Sequence, residues 1–253
     1  MPAFIDLSAP ISQGPAELPD ALRTDVAYRD HAQGAQDIEA MLGVPPRLLR
    51  DDEGWAVETL NNFGTHNSTH VDAPWHYNST IGGERAQTID ELPLEWFFGP
   101  GVVLDMTAKA DGDPMTVADA EAALAQAGHA LAPLDIVLVR TGRDAFYAEL
   151  DYMARGPGVT FDATKWLYEQ GVRVMGVDAW GWDAPLHLQA QEALARDEAG
   201  VFWAAHQADL AYCQIERLFN LGTLPSTGFT VACFPLKIVG GSAGPTRAVA
   251  IVP

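Results

Sequence analysis

One short stretch of the chain concentrates residue types that bind metal ions. Three of the seven histidines and one aspartate fall within GTHNSTHVDAPWHY, residues 64–77. In an extended chain, side chains two positions apart project from the same face, so His66, His70 and Asp72 are expected to point together. Two neutral imidazoles and a carboxylate suit Zn²⁺, Mn²⁺ or Fe²⁺. Three protein ligands leave coordination positions open, which is typical of a catalytic metal site.

The residues that follow the aspartate extend this prediction to catalysis. Pro74 cannot donate to a β-ladder, so the strand is expected to end near it and His76 to fold back over the same site. A bound Zn²⁺ lowers the pKa of its water to about 7 and polarises a carbonyl oxygen. An imidazole with a reference pKa of about 6.5 can carry a proton to a leaving nitrogen or oxygen. The pattern therefore predicts hydrolysis of an amide, lactam or lactone.

Two other functions stay open on the residues alone. The first is a metal-assisted lyase or dehydratase, in which His76 abstracts a proton next to a metal-bound carbonyl. Entry of labelled solvent oxygen into a product carboxylate would separate hydrolysis from that reaction. The second is a metal-binding protein without catalysis. A His76→Ala variant that keeps its metal and loses turnover would argue against it.

The same stretch resembles a family signature. His66-x-Ser-Thr-His70-x-Asp72-x-Pro74-x-His76 is similar to the His-x-Gly-Thr-His-x-Asp-x-Pro-x-His motif of the metal-dependent cyclase family of formamidases and isatin hydrolases. Serine stands in this chain where the motif has glycine. The similarity continues through most of the chain, in residues 5–11, 135–142, 176–179 and 235–241.

The resemblance implies a fold, an oligomeric state, a metal content and a role for each of six residues. It implies a single domain of swivelling β/β/α type and a homodimer or homotetramer. It also implies one or two divalent ions in each subunit, and the ligand types suit zinc or manganese. A small molecule is the expected substrate, but no motif specifies which one. The implied metal ligands are His66, His70, Asp72, His206 and Glu216, with the aspartate shared between two ions, and His76 is the implied proton donor and acceptor.

Strands and helices alternate through the middle of the chain. Strand, helix, strand, helix, strand over residues 102–177 predicts an α/β region with parallel pairing. Two C-terminal strands separated by a Gly/Pro turn are expected to form a hairpin-type connection. We therefore predict one domain over residues 1–253, with a mixed β-sheet and packed helices. The predicted strands are 102–104, 135–140, 172–177, 234–239 and 247–252, and the predicted helices are 116–127 and 160–170.

Two tryptophans follow the predicted strand at 172–177. Because the carboxyl ends of strands in α/β sheets commonly face the ligand crevice, Trp180 and Trp182 are candidates for an aromatic wall that binds substrate. Filling the core or a subunit interface explains them equally well. Asp178 and Asp183, which flank the pair, are expected to be structural.

Composition excludes several classes of protein. The formal net charge of −19 repels nucleic acid and anionic membranes. The N-terminal residues have no basic region and no apolar core of signal length, so a cytoplasmic location is expected. The two cysteines, Cys213 and Cys233, make no disulfide framework and are expected to be reduced.

Overall fold

A nine-stranded mixed sheet lies in the larger of two units of the computed structural model, which describes residues 1–253. The larger unit comprises residues 1–10 and 68–253, and the smaller unit comprises residues 11–67. The predicted mixed α/β fold is confirmed, whereas a single domain over residues 1–253 stays a prediction. The strands are β1 Ala3–Asp6, β2 Asp25–Arg29, β3 Val57–Asn62, β4 His70–Asp72, β5 Thr80–Ile81, β6 Glu84–Arg85, β7 Phe98–Asp105, β8 Ile136–Arg140, β9 Val174–Val177, β10 Cys213–Glu216, β11 Phe229–Ala232, β12 Ala243–Pro245 and β13 Val249–Val252. The helices are α1 His31–Leu42, α2 Pro74–Tyr77, α3 Val117–Ala127, α4 Phe161–Glu169 and α5 Leu186–Arg196.

The order of strands in the large sheet is β1-β13-β11-β7-β8-β9-β10-β4-β12. Strands β7, β8, β9 and β10 are parallel neighbours, as the alternation of strands and helices predicts. The remaining strands pair antiparallel, with β4 inserted between β10 and β12. No helix has the combination of length and apolar character that crossing a bilayer requires.

The parallel strands are buried on both faces. In β8, Val137 and Val139 belong to one core cluster, while Ile136 and Leu138 belong to the other. Residues of α3 and α4, including Leu124 and Leu167, join the first cluster. Burial on both faces explains why these strands appear in the sequence as continuous apolar runs.

Local capping signals set the bounds of the two predicted helices. Thr116 and Asp119 form a capping box before α3, which ends at Gly128 with a left-handed φ of 63°. The hydroxyl of Thr160 accepts a hydrogen bond from Ala163 N and begins α4. Both helices are therefore confirmed.

The predicted strand at 234–239 is wrong. Pro235 has no N–H to give to a ladder, and Leu236 and Val239 are exposed. Strand β13, at residues 249–252, pairs with β11 on one side and β1 on the other, so neither side of it is left for a hairpin partner. The apolar strand nearest to the prediction is β11, which ends at Ala232.

The extended segment predicted for residues 66–72 is also shorter in the structure. Strand β4 begins only at His70. His66 lies in the smaller unit, in a turn where Asn67 N donates to Gly64 O at 3.0 Å. The two-residue periodicity of a strand therefore applies to His70 and Asp72, and the role of His66 as a metal ligand stays a prediction.

The smaller unit contains α1 and the antiparallel pair β2–β3. Asp30 and Gln33 form a capping box at the start of α1, and Gly43 ends the helix with φ of 70°. Gly34 lies inside the helix because the backbone of Trp55 passes against it. A Cβ at residue 34 would meet the Trp55 carbonyl oxygen at 1.8 Å.

Candidate metal centre

The pairing of β4 with β10 brings three predicted ligands together. His70 lies opposite Glu216 and Asp72 lies opposite Gln214 in this antiparallel register, so the four side chains share one face. His70 Nε2 is 3.2 Å from Asp72 Oδ1 and 3.7 Å from Glu216 Oε2. All three residues are buried. Glu216, which is far from His70 and Asp72 in the sequence, therefore joins them on this face of the sheet.

The hydrogen bonding of His70 determines which of its ring nitrogens can bind a metal. Its Nδ1 is 2.7 Å from the carbonyl oxygen of Ser68, which can only accept a hydrogen bond. A proton therefore lies on Nδ1, and Nε2, which faces the carboxylates of Asp72 and Glu216, is the nitrogen whose lone pair can serve a metal. One ligand atom from each residue lies within 4.8 Å of the others. Converging lone pairs of this kind suit a divalent cation, so the residues present fit the metal that the resemblance implies.

His206 joins this group through Glu216. Its Nε2 is 3.6 Å from Glu216 Oε1, and its Nδ1 donates to Asp183 Oδ2 at 2.5 Å. Burial by itself would lower the pKa of His206. The hydrogen bonds and charges of Asp183 and Glu216 outweigh this effect and raise its pKa to about 10. Because the carboxylates of Asp183 and Glu216 stabilise a positive charge on His206, the same surroundings also favour a bound metal cation.

The carboxylate of Glu216 is held in place between the two histidines. One oxygen, Oε1, accepts a hydrogen bond from the backbone nitrogen of Trp182 at 2.9 Å. The Trp182 side chain points away into the core, is fully buried, and donates from Nε1 to Thr164 Oγ1 at 2.9 Å. Of the two explanations left open for Trp182, the structure therefore supports core packing.

Trp180 contacts the side chain of Arg217. The guanidinium of Arg217 is 4.9 Å from the centre of the indole ring, and Trp180 is half-buried. Its predicted contact with substrate remains a prediction.

His76 lies in α2, the short helix that Pro74 begins. One of its ring nitrogens is within 4.8 Å of an oxygen of Asp72. Its ring centre is 6.0 Å from that of His206 and 5.8 Å from that of Tyr77. The predicted end of the strand near Pro74 is confirmed, and His76 folds back beside the ligand group as expected.

Two residues of the centre were not assigned to it from the sequence. Asp183 was expected to be structural, yet it accepts hydrogen bonds from Ala205 N, His206 N and His206 Nδ1. Its place just after β9, at the carboxyl end of a parallel strand, was the available signal. Trp203 stacks on His206 with ring centres 4.6 Å apart. No sequence pattern marks Trp203, because its position depends on the path of an irregular loop.

The fold and the buried His/Asp/Glu group define the class of this protein as a metal-dependent hydrolase of mixed α/β fold. Residues 5–184 match the family model described as "putative cyclase", and the chain belongs to that family. It is 30% identical over 199 residues to a kynurenine formamidase of Salinibacter ruber, an alignment that covers 74% of this chain and 76% of the relative. It is 28% identical over 208 residues to an isatin hydrolase of Roseibium aggregatum, covering 76% and 73%.

The fold itself is shared with solved structures. Isatin hydrolase A from Ralstonia solanacearum superposes with a TM-score of 0.71 at 24% identity, covering 100% of this chain and 92% of that one. This likeness agrees with the predicted family fold.

Proposed function

We propose that this protein hydrolyses the carbon–nitrogen bond of a small amide or lactam, or the corresponding ester bond of a lactone, at a divalent metal site. The observation that carries the proposal is the convergence of His70 Nε2 with the carboxylates of Asp72 and Glu216 inside the fold. His206 and, from the sequence motif, His66 are the further ligands that we propose. Relatives named for formamide and isatin hydrolysis support the reaction type.

The ligand set supports zinc or manganese and permits one or two ions. When bound, such an ion supplies Lewis acidity and lowers the pKa of a coordinated water. The two oxygens of Glu216 face different histidines, His70 and His206, and this division supports two adjacent binding positions. The protein keeps both imidazoles correctly oriented through the Ser68 carbonyl and the Asp183 carboxylate.

His76 is the residue that we propose moves protons. It is half-buried, whereas His70 and His206 are buried. Its ring lies close to the ligand group, where it can take a proton from the attacking water and deliver it to the leaving nitrogen. The buried surroundings of the ligands exclude bulk water from the reacting atoms, which strengthens the electrostatic interactions there.

Metal analysis coupled to a hydrolysis screen tests the proposal. The purified protein would be analysed by inductively coupled plasma mass spectrometry and assayed on isatin, N-formylkynurenine, simple aryl formamides and lactones. We expect at least one stoichiometric divalent ion and turnover that EDTA abolishes and Zn²⁺ or Mn²⁺ restores. With ¹⁸O-labelled water, one labelled oxygen should enter the product carboxylate. A fully metal-loaded protein that cleaves none of these compounds would contradict the proposal, and unlabelled product would indicate a lyase.

We also propose that the enzyme works in the cytoplasm as a homodimer or homotetramer on a small-molecule substrate, without nucleic acid or membrane partners. The net charge of −19 and the two buried free cysteines support this setting. Light scattering after size-exclusion chromatography would measure the mass, for which we expect two or four times 27.2 kDa.

A further inference from the structure

Trp203 has a backbone conformation that tryptophan rarely adopts. Its φ is 61°, in the left-handed region where a side chain clashes with the backbone, and it lies in the irregular segment between α5 and β10. Strain of this kind persists only where the surrounding structure enforces it, and it is concentrated at functional sites. Here the Gln189 side chain accepts a hydrogen bond from Trp203 N at 2.7 Å, and Trp203 O accepts one from Gln207 N at 2.8 Å.

The strained backbone places the indole against two functional histidines. Its ring is stacked on that of His206, with centres 4.6 Å apart and planes 8° apart. The same indole meets the His76 ring edge to face, with centres 5.2 Å apart and planes 69° apart. Trp203 thus contacts both a proposed metal ligand and the proposed proton carrier.

Packing alone does not account for this arrangement. Trp203 is only half-buried, so the strained backbone does not serve to remove the whole indole from water. The loop backbone is held separately, because Asp183 accepts hydrogen bonds from Ala205 N at 2.9 Å and from His206 N at 3.1 Å. A glycine would adopt the left-handed conformation without strain. What tryptophan adds at this position is therefore the contact of its ring with His206 and His76.

We propose that Trp203 is a positioning residue that fixes the ring planes of His206 and His76 relative to each other. Stacking holds the His206 imidazole in the plane in which its Nε2 faces Glu216. The edge contact restricts rotation of His76, so that proton transfer starts from one orientation. The effect on His206 concerns metal affinity alone, while the effect on His76 rests on the proposed hydrolytic function.

Three variants test the proposal. Trp203→Gly removes the ring and keeps the favoured backbone, whereas Trp203→Phe keeps an aromatic ring. Phe161→Ala is the matched control, because it removes an equally exposed aromatic residue at the start of α4, outside the ligand group. Calorimetric titration of the metal-free proteins with Mn²⁺ gives metal affinity, and steady-state kinetics on the best amide of the screen gives kcat and KM separately.

For Trp203→Gly, we expect metal affinity and kcat each to fall by about 10- to 100-fold, with KM changed by less than about threefold. Trp203→Phe should recover most of both losses, and Phe161→Ala should match the wild type. A glycine variant with wild-type metal affinity and kcat would overturn the proposal. So would equal losses in the glycine, phenylalanine and control variants, which would indicate general packing.

The two proposals fail in different ways. If the wild-type protein binds Mn²⁺ but hydrolyses nothing, the proposed function fails, and the calorimetric titration still decides the role of Trp203 toward His206. If the wild-type protein is active and Trp203→Gly is indistinguishable from it in both assays, only the role of Trp203 fails.

Discussion

Replacing Glu216 with glutamine should separate metal binding from structural stability. The amide oxygen can keep the hydrogen bond that Glu216 Oε1 accepts from Trp182 N at 2.9 Å. The amide nitrogen then occupies the place of Oε2, 3.7 Å from His70 Nε2, where it offers no lone pair to a cation. The variant therefore loses one ligand atom and one negative charge and keeps its shape.

The expected loss of affinity follows from the number of ligands. Structural zinc sites are worth about 10–16 kcal/mol at pH 7, or about 3 kcal/mol for each of four ligands. Three kcal/mol corresponds to roughly a hundredfold change in dissociation constant. We therefore expect Glu216→Gln to bind Zn²⁺ or Mn²⁺ about a hundredfold more weakly in a competition titration with a chromophoric chelator. The metal-free variant should still unfold cooperatively in urea because the hydrogen bond to Trp182 N is kept, although it loses the charge that helps to raise the pKa of His206.

A second carboxylate provides the matched control. Asp135 is buried, and its carboxylate lies 2.8 Å from Nε2 of His129 and accepts a hydrogen bond from Ala132 N at 2.9 Å. It directly precedes β8 and lies outside the ligand group. Asp135→Asn should lower the free energy of unfolding and leave metal affinity unchanged. The reasoning is refuted if Glu216→Gln binds metal as tightly as the wild type. It is also refuted if Asp135→Asn weakens metal binding as much as Glu216→Gln does.

Three further variants test individual residues. His76→Ala should retain most of the metal by elemental analysis and lose about 10²- to 10⁴-fold in kcat, and loss of the metal would instead make His76 a ligand. Trp182→Phe should lower the free energy of unfolding in urea by about 1–3 kcal/mol, because the buried Thr164 hydroxyl loses its donor, and should leave KM unchanged. A raised KM would restore a substrate role for Trp182. Burial raises the pKa of Asp178 to about 6, against hydrogen bonds from Thr141 that lower it. Its folded pKa lies above the ordinary value of 3.8, so its contribution to stability is present below about pH 4 and lost as the pH rises through 6. Urea unfolding in the presence of EDTA would measure this from about pH 4 to about pH 6. Over that range the free energy of unfolding of the wild type should fall by about 3 kcal/mol relative to that of Asp178→Asn. Parallel curves of unfolding free energy against pH for the two proteins would contradict this.

Local patterns in the sequence predicted much of the fold and part of the site. Caps such as Thr116 and Thr160 predicted both long helices of the α/β region, because capping involves residues only three positions apart. Two-residue periodicity placed His70 and Asp72 on one face, and the family motif supplied Glu216 and His206 as partners. The strand expected at 234–239 fails because its apolar residues are exposed and the sides of β13 are already paired.

The sequence by itself determined the chemical types of the centre: imidazoles and carboxylates spaced for a divalent cation, with a further histidine beside them. Only the tertiary structure decided which atoms meet. The β4–β10 register sets Glu216 opposite His70, and the loop after α5 places His206 against Asp183 and stacks Trp203 on it. The contacts of Glu216 with His70 and of Asp183 with His206 join residues far apart along the chain, and the contact of Trp203 depends on a left-handed backbone that tryptophan does not favour. Local sequence preference therefore could not predict them, because the packing of the whole fold determines them.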